Sequence, residues 1–433
     1  MRAGRFSKYL PEFGWEPLIL TIKERPDVYQ DYSLLHELPD GIRIIRTSIF
    51  DPFLLWERGG VTARRNANNI HSLIRPKAAS HSPTFFYRYA KILDNLIRQI
   101  LSTPDHQLSW VPLAVLRSIR LFRNYRIDLV LTTSPPHSAH FIGLILKRIY
   151  RVPWIADFRD PWTERLDLKD VILPFTNNIE RLCERCIISG ADRVILNTHR
   201  NRESVLLRYA SQNPDKFVTI HNGFDEKTNI STASTYNKFT IAYTGTFYPK
   251  SGQYFFFHAF ARWLKTLEHA SRSNIQMLVV GDDNKAAQEL VDTLELGDVV
   301  VFLPRVEHRK ALEIAYASHL LLVCLGFDQK NAGWVPIKIY DYLLCKRPIL
   351  GLLPDGEAAG IIRDTQSGYV ITDENYAEAS RILNSEHEKW LRGIRSMPEQ
   401  GWVSDSRRTY SAEFLTSKLA HVMESALRGT SCR

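Results

Sequence analysis

Long apolar runs are missing from this chain of 433 residues. No stretch of about 18 apolar residues occurs, so no membrane-crossing helix is expected. The N-terminus lacks the basic-then-apolar pattern of a secretory signal. Cysteine is scarce: there are five, an odd number and scattered. That argues against a secreted disulfide framework and makes the cytoplasm the default compartment. Cys183 and Cys186 form a C-x-x-C, but no second pair or His-x₃-His follows, so they read as core residues within a helix. Neither the fingerprint G-x-G-x-x-G nor a P-loop GK[ST] occurs, which speaks against a dehydrogenase or an NTPase. No zinc-finger spacing or RNA-binding signature is found either.

The length implies about two to three domains. Apolar content of 44% and charged content of 24% are ordinary for a globular protein. The net charge of +9 is local. Residues 51–150 hold 14 Lys and Arg against five Asp and Glu, whereas residues 1–50 hold seven of each and residues 226–433 hold 24 of each. Arg64, Arg65, Arg75, Lys77, Arg88, Lys91, Arg98, Arg117, Arg120, Arg123 and Arg126 carry this excess. Such a patch suits an anionic membrane surface or is simply a solvated face; nucleic acid is the weakest reading. Residues 85–101 read as an amphipathic helix, either lying in a membrane interface or packed on the core with a basic outer side.

Strand and helix patterns then alternate. A helix over 2–10, ended by Gly14, precedes strands at 18–21 and 42–45. A helix over 111–123 leads to a strand at 127–133, a helix over 139–150 and a strand at 153–156. A helix over 178–190, a strand at 193–197, a helix to 209 and a strand at 218–221 follow. The Ser, Thr and Asn residues of 228–237 form a linker. Beyond it, strands at 239–244, 275–280, 299–303 and 319–325 alternate with helices, and 404–427 reads as one long amphipathic tail helix. Alternation of this kind implies α/β architecture with parallel sheets and right-handed crossovers. The expected division is 1–225, 236–400 and a C-terminal helical part, 401–433, packing back toward the first domain.

Two places stand out chemically. In VPIKIYDYLLCKRPILGL, residues 335–352, Pro336 suits the first turn of a helix and PILGLL reads as a buried strand. Lys338 and Asp341 lie in the first turns, and a helix N-terminus with a nearby cation can seat a phosphate; a plain capped core helix is the alternative. The strand at 127–133 ends in Ser134-Pro135-Pro136-His137, and the next ends in Asp157-Phe158-Arg159-Asp160. Ligands of open parallel sheets bind beyond such strand ends, so both loops are expected to line one cleft. Asp157, Arg159 and Asp160 are either used there or form an ion-pair network. His137 and His140 are either active-site groups or ordinary loop histidines.

The segments RFSKYLPEFGWEPLILT, TTSPPHSAHFIG, PWIADFRDPW, ADRVILNT, FVTIHNGFDE, IAYTGTFYPKSG and VPIKIYDYLLCKRPIL, in this order, resemble glycosyltransferase family 4 (group 1), of the two-domain GT-B fold and bacterial surface-polysaccharide type. The resemblance implies two Rossmann-like domains facing across a cleft. It also implies transfer of a sugar, with retention and without metal or cofactor, from a UDP- or GDP-sugar to a lipid-linked or polysaccharide acceptor. The protein would work in the cytoplasm, peripherally on the inner face of the membrane. Lys250 matches the diphosphate-binding lysine, Gly245 its loop, and Asp341 the ribose partner of a Glu-x₇-Glu motif. Pro336 and Lys338 join the donor side; Ser134, His137, Asp157, Arg159 and Asp160 the acceptor side. Lys250, Asp160 and His137 are the catalytic candidates, and Gly223 belongs to the hinge. Three departures follow. Gly333 stands where the first motif Glu would fall. Thr246 replaces a basic residue, for which Arg305 can substitute. The first domain is expected to lack its opening strand, either because the true start lies upstream or because the chain is shortened. A nucleotide-sugar epimerase and a non-catalytic scaffold in polysaccharide assembly are the alternatives.

Overall fold

The computed structural model describes residues 2–24, 37–49, 103–163, 174–228, 230, 234–245, 252–282, 285–394 and 404–431. The expected basic helix at 85–101 and the loop holding Thr246 and Lys250 lie outside these residues. No helix among the described residues is long and apolar enough to cross a membrane.

The chain opens with helix α1 (Arg2–Tyr9), which passes through a tight turn to Gly14, a left-handed position at φ 78°. Strands β1 (Leu18–Ile22) and β2 (Arg43–Thr47) pair in parallel. Helix α2 (Trp110–Asn124) leads to β3 (Val130–Ser134), α3 (Ala139–Tyr150), β4 (Trp154–Phe158), α4 (Pro174–Gly190), β5 (Arg193–Leu196), α5 (His199–Arg208) and β6 (Phe217–Thr219). Strands β3 to β6 form a second parallel sheet in sequence order. Every residue of β4 is buried, as suits an interior strand covered on both faces. Gly143 of α3 lies against the Trp154 indole, and a Cβ there would collide with the ring.

Among the described residues no hydrogen bonds join the β1–β2 pair to the β3–β6 sheet. The first domain thus holds two parallel sheets among the described residues, β1-β2 and β3-β4-β5-β6. Helix α2 bridges the division: Trp110, Val111 and Ala114 pack with Ala139, Ile142 and Leu146, and Leu20 and Ile22 of β1 lean on the same cluster.

The second domain is one six-stranded parallel sheet in the order β12-β11-β10-β7-β8-β9. Its elements are β7 (Phe239–Thr244), α6 (Gln253–Lys265), β8 (Ile275–Val280), α7 (Lys285–Thr293), β9 (Val300–Leu303), α8 (His308–Ala317), β10 (Leu320–Cys324), α9 (Lys338–Cys345), β11 (Ile349–Leu352), α10 (Glu357–Asp364), β12 (Gly368–Ile371) and α11 (Tyr376–Leu391). Phe256, Phe257, Phe260 and Trp263 of α6 fill one face of the sheet, and Tyr340, Tyr342 and Leu343 of α9 the other.

The expected single tail helix is broken. A short helical segment, Ser404–Arg408, precedes α12 (Ala412–Ser431). The backbone between them serves the domain crossing instead: Phe224 N–H donates to Tyr410 O at 3.0 Å and Ala412 N–H to Phe224 O at 2.7 Å. Phe224 and Ser411 thus form a parallel bridge. Gly223 is required here, because a Cβ would strike the Tyr410 carbonyl. Leu415, Leu419 and Met423 of α12 then pack with Phe6 and Leu10 over β4 and β5. Cys183 is half-buried and packs against the core cluster that holds Ile187 and Ile188, whereas Cys186 is exposed and is not the core residue the sequence suggested.

Candidate active site at the strand ends

On the second domain the site is built on α9. Pro336 opens its first turn, with Ile339 N–H donating to Pro336 O at 3.0 Å and Tyr340 N–H to Ile337 O at 3.1 Å. The Tyr342 hydroxyl accepts from Thr244 N–H at 3.0 Å and so ties the helix to the end of β7. Gly245 follows at φ 120°, a conformation L side chains rarely adopt, and a Cβ there would lie 3.0 Å from Lys338 Nζ. Gly245 and Lys338 therefore come together, with Pro336 in the turn just before Lys338.

The Lys338 ammonium lies 3.7 Å from the Tyr243 ring centroid. No carboxylate forms an ion pair with it among the described residues. Burial pushes its pKa down to about 8. An ammonium taken from water without a counter-ion is costly, and an anion at this spot would relieve that cost. Arg305 lies apart, beyond the end of β9, paired with Asp282 at 3.7 Å with both side chains more than half exposed.

Asp341 is more enclosed than the sequence suggested. One oxygen accepts from His308 Nε2 at 3.1 Å, and the other from Arg5 of α1 at 3.3 Å. Burial raises its pKa, but His308 and Arg5 outweigh burial and hold the carboxyl below its usual range.

The first-domain loops divide. Asp157 is 1% exposed and receives Arg2 at 2.9 and 3.0 Å and Thr133 at 2.8 Å. It ties α1 to the sheet, so the expected acceptor-facing carboxylate points inward. Ser134 is buried, and His137, 1% exposed, stacks on Trp162 at 4.7 Å. These two also point inward, because the loop packs on the aromatic cluster of Phe158 and Trp162. His140 is fully buried, with Nδ1 2.8 Å from Thr132 Oγ1; burial lowers its pKa to about 3, so it is neutral at pH 7. Arg159 and Asp160 remain partly exposed, 3.7 Å apart.

The two domains also meet at the cleft floor. Thr198 donates to Gly333 O at 3.2 Å, and Arg200 N–H to Glu357 at 2.8 Å. His221 lies 3.7 Å from Glu357. Desolvation, with His199 and Arg2 nearby, lowers the His221 pKa to about 3, so this is a neutral contact and not an ion pair. A Cβ at Gly333 would be 3.4 Å from Arg200.

Sequence reasoning missed Arg2, Arg5 and His308. The three-residue spacing of Arg2, Arg5 and Lys8 on α1 was an available signal; nothing local marks His308. Among the described residues no group of three or more His, Cys, Asp or Glu side chains is arranged to hold a metal ion.

No curated protein matches the sequence. Among solved structures, the chain is similar to sucrose-phosphate synthase from Thermosynechococcus elongatus (14% identity, 98% of this chain and 92% of that one, TM-score 0.61). It is similar to WaaG, a glycosyltransferase involved in lipopolysaccharide biosynthesis (13% identity, 97% and 94%, TM-score 0.52). It is also similar to Anabaena Alr3699/HepE in complex with UDP-glucose (17% identity, 72% and 82%, TM-score 0.52). At these identities the likeness concerns the fold. The family model for glycosyl transferases group 1 matches residues 225–390. The model for glycosyltransferase family 4 matches residues 2–228, more than half of the chain, and the protein belongs to that family.

Proposed function

We propose that the protein moves a sugar from a nucleoside-diphosphate sugar, UDP- or GDP-linked, to a lipid-linked or saccharide acceptor, with retention of configuration. The observation that carries this reading is the Lys338 ammonium, without a carboxylate partner among the described residues, at the α9 N-terminus beside Gly245. A pyrophosphate there meets the positive end of the helix and one fixed cation. Lys250, by the resemblance, and Arg305, beyond the end of β9, add charge. Together they neutralise the diphosphate as it leaves, so the chain's own cations do the work of a metal. Asp341 holds the ribose hydroxyls. Arg159 and Asp160 address the acceptor across the cleft, with Asp160 the candidate for handling its proton.

The acceptor reading draws on the outer face of α2. Leu113 and Leu116 are exposed there, at 39% and 61%, beside exposed Arg117, Arg120 and Arg123. Apolar and basic groups mixed on one helix face suit an anionic lipid surface. The reading places the enzyme peripherally on the cytoplasmic face of a membrane, with no role for nucleic acid. HepE was solved with UDP-glucose, and WaaG acts in lipopolysaccharide biosynthesis.

The test is calorimetric titration of UDP and GDP into the wild-type chain and into Lys250→Ala and Lys338→Met. One nucleotide is expected to bind, and each substitution to weaken it by about tenfold or more, about 1.4 kcal/mol. Unchanged affinity in both variants would remove the pyrophosphate from this place.

A further inference from the structure

Helix α1 carries Arg2, Arg5 and Lys8 three residues apart, hence on one side. Each holds a different part of the segment that leaves the first domain. Arg2 donates to Ile220 O at 3.0 Å, His221 O at 2.6 Å and Asn222 Oδ1 at 3.2 Å. Arg5 donates to the carbonyl of Gly223. Lys8 and the Tyr9 hydroxyl hold Asp225 at 2.6 and 2.5 Å. One helix thus grips the crossing from residue 220 to residue 225, in order.

Arg5 differs from its neighbours on α1. Its second terminal nitrogen reaches across to Asp341 on α9 at 3.3 Å, and neither side chain is more than 12% exposed. One guanidinium therefore joins a carbonyl of the crossing to a carboxylate of the donor helix. Domain closure is absorbed by a few backbone positions, and residues 222–225 lie where the chain changes domains. Opening the cleft must stretch or break the bond of Arg5 to Gly223 or its bond to Asp341. A ligand that engages Asp341 changes the other.

We propose that Arg5 is a positioning residue that couples occupancy of the donor site on α9 to the conformation of the crossing at 220–225. The inference rests on the reading of α9 as the donor helix. Arg5 need not touch the sugar; it relays the state of Asp341 to the backbone that sets the angle between the domains. By linkage the coupling is reciprocal, so a fixed crossing also favours a filled site.

The test is amide hydrogen exchange on the full chain, with and without saturating UDP or GDP, for wild type, Arg5→Met and Arg5→Lys. Titration calorimetry run in parallel reports whether each protein binds the nucleotide. In wild type, bound nucleotide is expected to slow exchange over 220–225 by about threefold or more. In Arg5→Met the nucleotide still binds and still protects α9, but exchange over 220–225 no longer responds; Arg5→Lys restores part of the response. A crossing that responds equally in Arg5→Met, or that ignores a nucleotide bound to wild type, overturns the coupling. Should Arg5→Met not fold, Arg5→Gln, too short to span Gly223 and Asp341 together, must likewise silence the crossing while calorimetry shows nucleotide bound. If neither nucleotide binds wild type by calorimetry, the donor reading fails and the coupling falls with it.

Discussion

The guanidinium of Arg2 makes a two-pronged hydrogen bond to the carboxylate of Asp157, with the side chains only 3% and 1% exposed. The pair joins the first turn of the chain to the end of β4. A buried ion pair adds little over a well-packed apolar pair, but removing one partner strands the other's charge. Arg2→Met is therefore expected to destabilise the protein by about 3–5 kcal/mol, and Arg2→Met/Asp157→Asn by clearly less. Urea midpoints of the two variants against wild type measure this. Equal loss in both would mean that packing of the Arg2 stem, and not charge, is what matters.

Lys338 should show the opposing demands of stability and binding. Its pKa is pushed down to about 8, below its unfolded value, so the unfolded chain binds the proton more tightly. The resulting penalty is fully present below pH 8 and disappears as pH rises toward the unfolded pKa of a lysine, about 10.4. Lys338→Met is expected to raise the melting temperature of the ligand-free protein at pH 7 while weakening UDP or GDP binding. Wild-type affinity should fall as pH rises through about 8 and beyond, where the free ammonium loses its proton. Thermal scans and calorimetry between pH 7 and 9.5 check both statements.

Acid should weaken the fold early. His140 and His221 are held neutral by burial, each with a pKa near 3 against 6.5 unfolded. Between those values the unfolded state binds more protons, so stability falls as pH drops through the window from 6.5 toward 3. Each histidine contributes a slope of about 1.4 kcal/mol per pH unit. Asp225 and Asp341, with lowered pKa values, add to the loss at the acid end. His140→Gln should flatten the decline in urea midpoint between pH 6 and 5. An unchanged slope would show that His140 is accessible to protons in the native state.

Membrane association has a direct test in flotation with vesicles. Wild type is expected to float with anionic vesicles at low salt and to be released at about 0.5 M salt, where screening is strong. Leu113→Glu/Leu116→Glu should abolish flotation at any salt, whereas Arg117→Gln/Arg120→Gln should abolish the preference for anionic lipid. Equal binding of wild type to neutral vesicles would count against the basic face of α2.

Much of the fold could be read from periodicity. The bounds of β7, β8 and α3 coincide with those read from the sequence, because the strands are near-continuous apolar runs and the helix a period-3.6 pattern, with polar or turn residues at their ends. The meeting of Gly245 with Lys338 was legible because strand-end loops of a parallel sheet converge on one edge. Asp157 and His137 were misplaced because residue type does not tell which way a strand-end side chain turns. The Arg5–Asp341 contact joins residues 336 apart in sequence and depends on how two domains dock, which no local pattern encodes. Helix α10, only eight residues long with Gly360 inside it, offers too weak a helical signal to stand out.

The bridge between Phe224 and Ser411 sets the outbound and returning chain side by side. Rotation of one lobe against the other is thereby confined to an axis shared by two peptide segments, like a piano hinge and unlike a single thread. A protease cut between residues 230 and 236 would leave two fragments that do not part, because the second still delivers Leu415, Leu419 and Met423 into the interior of the first. The nicked protein should elute as one species under native conditions and separate only when denatured.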